Sequence, residues 1–166
     1  FTLQVYFDFS GYSDMAVGLG CLLGIRLPIN FESPYKASSV IEFWHCWHMT
    51  LSRFVRDYIY IPLGGNRKGS LKHTGNIFII MLIGGIWHGT GTTFIIWGSL
   101  HGIFLAINHF WRQLQNSLGY SFGRKNFIYE ISGCVITFTT VAVLWVLFRA
   151  ESLDVAVSII QSLFGF

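Results

Sequence analysis

Charge is what this sequence has least of. Asp, Glu, Lys and Arg make up only 11% of its 166 residues, where a soluble domain carries roughly 25%. Most of the chain therefore cannot present an ordinary water-exposed surface. The three cysteines, Cys21, Cys46 and Cys134, form no CxxC pair. They exclude a zinc ribbon or a disulfide framework and read as packing residues, so no metal site is expected. No basic leader with a cleavage site opens the chain, which begins at Phe1 inside one apolar stretch and stops at Phe166 inside another. It reads as part of a longer protein. No internal repeat, no low-complexity segment and no Walker-type glycine spacing is present; Gly64-Gly65-Asn66-Arg67-Lys68-Gly69 lacks the latter.

What is abundant is apolar and aromatic: 52% hydrophobic residues and 17% Phe, Trp and Tyr. This is membrane composition. From His73 to Trp111 there are 39 residues without a single Asp, Glu, Lys or Arg, and a spanning helix needs about 20. Gly89-Thr90-Gly91-Thr92-Thr93 is the natural break within them. The pattern predicts membrane segments at about 1–25, 76–88, 91–111 and 128–149, with a polar basic loop at 112–127 and a further helix capped by Ser152. In the first segment, Gly20-x-x-x-Gly24 offers small residues for close helix approach, while Asp8 and Asp14 fall on different faces. The expected fold class is all-α, a polytopic membrane helical bundle forming one partial domain over 1–166.

The charge that exists is concentrated. Residues 26–73 hold seven of the eleven Lys and Arg against three acids, which the positive-inside rule places on the cytoplasmic side. Flanking membrane segments weigh against a nucleic-acid partner. Ser39-Val40-Ile41-Glu42 matches a capping box, predicting a re-entrant or interfacial helix over about 39–61 that ends at Pro62 and Gly64-Gly65. His45 and His48, three apart on that helix, would share a face beside Trp44 and Trp47. A metal pair there lacks a third ligand. Arg53, Arg56 and Asp57 follow; they are either a solvated face with local ion pairs or a basic rim that attracts a phosphate-bearing donor. His73 reads as a loop residue, and His101 and His109 as packing or interfacial residues.

His88 stands apart. An ionisable side chain between Ile77–Trp87 and the Gly-Thr run is costly at membrane depth, and such residues face the protein interior. A buried imidazole stays neutral and can accept a proton, as a general base for a hydroxyl must. The alternative is a packing histidine bonded to a neighbouring helix.

Four blocks carry a resemblance. They are Tyr6-Phe7-Asp8-Phe9-Ser10-Gly11-Tyr12-Ser13-Asp14-Met15-Ala16, Glu42-Phe43-Trp44-His45-Cys46-Trp47-His48-Met49-Thr50-Leu51-Ser52, Arg56-Asp57-Tyr58-Ile59-Tyr60-Ile61-Pro62-Leu63-Gly64-Gly65-Asn66-Arg67, and Gly85-Ile86-Trp87-His88-Gly89. Together they resemble the membrane-bound O-acyltransferase family, and its bacterial alginate O-acetyltransferase branch most. The resemblance implies a multi-pass protein of the bacterial inner membrane with a central channel. It implies catalytic roles for His88 and His48, and donor or channel contacts from Trp44, Trp47, Arg56, Asp57, Tyr58 and Trp87. Acetyl-CoA is the implied cytoplasmic acyl donor, with no bound cofactor. The implied acceptor is a polysaccharide such as alginate, reached through an extracytoplasmic acetyltransferase partner protein. Transfer of acetyl or D-alanyl groups to teichoic acid, peptidoglycan or cellulose is the alternative within the same chemistry. A proton-coupled transporter and a non-catalytic scaffold remain as the other classes.

Overall fold

A computed structural model describes residues 1–67, 69–119 and 127–165. Among these it contains seven α-helices and no strand: α1 Thr2–Leu22, α2 Val40–Cys46, α3 Met49–Val55, α4 Ser70–His88, α5 Thr92–Ser117, α6 Phe127–Arg149 and α7 Leu153–Phe164. A 3-10 turn at Pro34–Lys36 precedes α2, and a π-helical turn at Arg56–Tyr60 continues α3. Two helices, α5 and α6, are long and apolar enough to cross a membrane.

Local chemistry accounts for the helix ends. Ser39 Oγ accepts from the Glu42 amide at 3.2 Å, and the Glu42 carboxylate accepts from the Ser38 amide and hydroxyl at 2.8 Å each. The cap is the expected one, but the carboxylate reaches one residue further back than a capping box requires. Ser152 caps α7 through the Val155 amide. At the end of α1, Gly24 adopts a φ of 74°, and the bonds Gly24 N to Cys21 O and Ile25 N to Gly20 O close a Schellman motif. Gly24 is thus a helix terminator rather than half of a helix-packing pair. The loop expected to begin at 112 begins later, because α5 runs on to Ser117. Residues 120–126 of that loop lie outside the described residues.

The single helix expected over 39–61 is broken. α2 stops at Cys46, Trp47 is extended, and His48 takes a left-handed conformation with φ 46° and ψ 53°. The cause is a strand-like stretch from another part of the chain. Glu32 N donates to Cys46 O and Met49 N donates to Asn30 O, each at 3.0 Å, so residues 30–32 take the backbone groups that a continuous helix would use. The break turns His45 and His48 to different surroundings.

A helix crossing sets the position of everything near His88. At Gly85 an added Cβ would lie 2.4 Å from the Phe94 carbonyl oxygen, and at Gly98 it would lie 2.5 Å from the Met81 carbonyl oxygen. Backbone therefore touches backbone where α4 meets α5. Gly102, one turn on, lets α5 close against Phe78. Here the small-residue packing of membrane helices is carried by Gly98-x-x-x-Gly102. Against this pair sits an aromatic core: Trp97 stacks on Trp145 at 5.8 Å and Trp47 on Phe43 at 5.5 Å, all four buried.

Candidate active site

A cavity of about 620 Å³ opens between α4, α5 and the α2–α3 segment. One face of α4 forms its long wall: His73, Ile77, Met81, Gly84 and His88 recur every three or four residues and all line it. From His73 to His88 the helix rises about 22 Å, at 1.5 Å per residue. The two ends differ in chemistry. At one end lie His73, His109 and Arg112, facing His45, Arg53 and Arg56. At the other lie His88 and Trp97, with Gly84 one turn away. No carboxylate lines the cavity among the described residues.

The cationic end is organised. The Tyr60 hydroxyl and His73 Nδ1 share a 2.5 Å hydrogen bond, and the His73 and His109 rings meet edge to face at 4.8 Å. The π-helical turn brings Arg56 to the same rim, in keeping with the use of such turns at functional positions. Arg56 Nε also donates to Asp57 Oδ1 at 2.7 Å. That bond holds the Asp57 carboxyl below, and the guanidinium above, its ordinary range. Both groups are exposed, so the pair orients Arg56 and adds little to stability.

His88 is half-buried at the last residue of α4. Its ring packs edge-on against Phe148 at 5.0 Å and Trp97 at 5.5 Å. A Cβ at Gly89 would lie 2.5 Å from the Phe94 ring, so any larger residue after His88 would have to displace that ring.

His48 does not line the cavity. It packs edge-on against Phe9 at 4.8 Å, and its Nδ1 lies 3.2 Å from Asn30 Oδ1. Burial pushes its pKa below the ordinary 6.5. Between the lowered folded value and 6.5, the unfolded chain binds the extra proton. Stability contributed by neutral His48 is therefore complete above pH 6.5 and is lost as the pH falls below it. In melting curves recorded on both sides of that pH, wild-type protein should lose more on acidification than His48→Gln. Equal losses in the two proteins would refute the assignment.

The other residues singled out from the sequence divide. Trp44 and Arg56 line the cavity. Trp47 is buried in the core, Asp57 is exposed beside Arg56, and Tyr58 and Trp87 are 72% and 64% exposed, away from the cavity. Trp87 touches His88 only from outside, with ring centroids 4.9 Å apart. His101 is fully buried and accepts from Trp44 Nε1 at 3.3 Å, a packing residue behind the cavity wall. His73, read as a loop residue, lies in the first turn of α4 and lines the cavity, as do His109 and Arg112. The signal for His73 was present in the sequence as a stripe at helical spacing that ends on His88. Among the described residues no cluster of His, Cys, Asp and Glu is placed to hold a metal ion.

Comparison with known proteins bears directly on this arrangement. The family model described as MBOAT, membrane-bound O-acyltransferase family, matches residues 1–148. A peptidoglycan O-acetyltransferase of Helicobacter pylori is 46% identical over 168 residues, covering 99% of this chain and 30% of that protein. A probable alginate O-acetylase AlgI of Pseudomonas putida is 48% identical over 166 residues, covering all of this chain and 32% of that protein. A teichoic acid D-alanyltransferase of Streptococcus thermophilus is 33% identical over 159 residues, covering 87% and 38%. The chain thus spans about a third of the length of the curated relatives it matches. With four-block motifs, two membrane-length helices and a family match over most of its length, the chain belongs to the membrane-bound O-acyltransferase family.

Proposed function

We propose that the full protein is an O-acyltransferase of the bacterial inner membrane, moving an acetyl group from acetyl-CoA to hydroxyls of an extracytoplasmic polysaccharide. The observation that carries this reading is the cavity: one continuous space joins a cationic mouth to a histidine about 22 Å away along α4. A phosphate-bearing thioester fits that polarity. Its phosphates meet Arg53, Arg56 and Arg112, and its apolar arm runs past Ile77, Met81 and Gly84. The cationic mouth belongs to the basic region, which favours the cytoplasmic side.

In the reaction, His88 takes the proton of the acceptor hydroxyl as its oxygen attacks the thioester carbonyl. The carbon–oxygen bond forms, the carbon–sulfur bond breaks, and the proton passes to the departing thiolate. His48 orients the reacting groups. Trp97, Trp44 and Phe148 around the site limit water, against which a thioester would otherwise be lost. Acetyl is favoured over D-alanyl because relatives named as O-acetylating enzymes are 46% and 48% identical, against 33% for the D-alanyltransferase. Passage to the polymer uses an extracytoplasmic acetyltransferase partner protein.

The test uses the full-length protein in vesicles with acetyl-labelled coenzyme A on the cytoplasmic face, and the partner protein with a polysaccharide acceptor on the other. Label should appear on the acceptor, and only when donor is present. Uptake of a solute without donor, and no labelled acceptor, would instead establish a transporter.

A further inference from the structure

The backbone at His48 is in a conformation that glycine and asparagine adopt more readily than histidine. A histidine is kept there, and its ring is tied to one partner, Asn30. The Asn30 side-chain oxygen lies 3.1 Å from the Thr50 amide nitrogen, 3.0 Å from Thr50 Oγ1 and 3.2 Å from His48 Nδ1. Its amide nitrogen donates to Ser13 Oγ at 3.4 Å, a buried hydroxyl on α1.

These contacts decide where the protons sit. A backbone N–H can only donate, so the atom facing Thr50 has to be the Asn30 oxygen and not its nitrogen. That oxygen can only accept, so the imidazole nitrogen 3.2 Å from it carries the proton. Neutral His48 is then protonated at Nδ1, and Nε2 keeps its lone pair. The Asn30 backbone carbonyl, accepting from Met49 N, fixes the same loop against the break in the helix.

We infer that Asn30 is a positioning residue for acyl transfer: it locks His48 into the tautomer that keeps Nε2 free as a hydrogen-bond acceptor. The inference rests on the reading of His88 and His48 as the reacting pair. It deepens that reading by assigning His48 the role of acceptor and by naming the residue that enforces it.

The experiment has two arms on the full-length protein. In the first, nitrogen-15 resonance of labelled histidine, with His48 assigned by its loss in His48→Gln, reports which ring nitrogen is protonated. Wild type should carry the proton on Nδ1; a proton on Nε2 overturns the inference whether or not the protein proves to be an acyltransferase. In the second, kcat and donor KM are compared for Asn30→Leu, Asn30→Asp and Ser13→Ala. Asn30→Leu should lower kcat on the order of 10²-fold, less than the roughly 10⁴-fold that a mis-set histidine tautomer costs in a serine-protease triad, with donor KM little changed. Asn30→Asp keeps the acceptor oxygen and should recover most of kcat, and Ser13→Ala should stay near wild type. If Asn30→Leu turns over at the wild-type rate, or Asn30→Asp is no better than Asn30→Leu, the positioning role is wrong. Absence of transfer by wild type itself would count against the proposed function, and the resonance arm would still decide the tautomer.

Discussion

Replacing His88 with alanine in the full-length protein should lower acyl transfer on the order of 10³-fold, within the range that positioned proton transfer contributes. The protein should still insert and fold. The packing that His88 makes is edge-on contact with Trp87, Trp97 and Phe148, of which Trp97 and Phe148 keep other ring neighbours and Trp87 is largely exposed. Its removal leaves a cavity wall, not a core, short of atoms. His88→Gln, which holds the volume but cannot take the proton, should be as inactive as His88→Ala. The measurement is label on the acceptor per protein, normalised to the amount recovered as monodisperse material from detergent. Activity retained in either variant would remove His88 from the chemistry.

The second large effect is structural. Gly98→Val should unfold or misassemble the protein, at a cost of about 3 kcal/mol or more, because the new atoms meet backbone that cannot step aside. A Cβ at that position lies 2.5 Å from the Met81 carbonyl oxygen and 3.2 Å from Gly85 Cα. The nearest relief is to part α4 from α5, which carries Trp97 away from His88. Activity and melting temperature should therefore fall together. Gly84→Ala is the control: it is one residue from the crossing, but a Cβ there meets nothing within 4 Å. Its melting temperature should match wild type. A Gly98→Val protein that melts like wild type would show that the two helices do not need this contact.

Much of this arrangement is legible in the chain, and the exceptions share a cause. Caps at Ser39 and Ser152, the break after His88 and the helix ending at Arg149 depend on neighbours within a few residues, so spacing alone reveals them. The left-handed turn at His48 depends on hydrogen bonds to residues 30–32, and nothing within a helical window announces them. Facing direction is equally non-local. Trp87 and Tyr58 carry the same aromatic character as Trp97 and Tyr60, yet the Gly85–Gly98 crossing and the π turn send the first pair outward and the second inward. Gly20 and Gly24 show the converse. Their spacing suggests helix contact, but a left-handed Gly24 ends the helix first. Family motifs brought attention to His88 and His48; only the fold separates the residue that lines the cavity from the one behind it.

α4 does more than wall the cavity. Its peptide dipoles add along the axis, leaving about half a positive charge at the Ser70 end and half a negative charge at the His88 end. The first end stands at the mouth where His73 and the arginines gather, and the second meets the imidazole. Under the proposed reaction, the positive pole of this one helix would draw an anionic donor in and its negative pole would steady the imidazolium formed if His88 takes a proton. The two jobs are coupled by geometry: shortening or kinking α4 would weaken capture and chemistry at once.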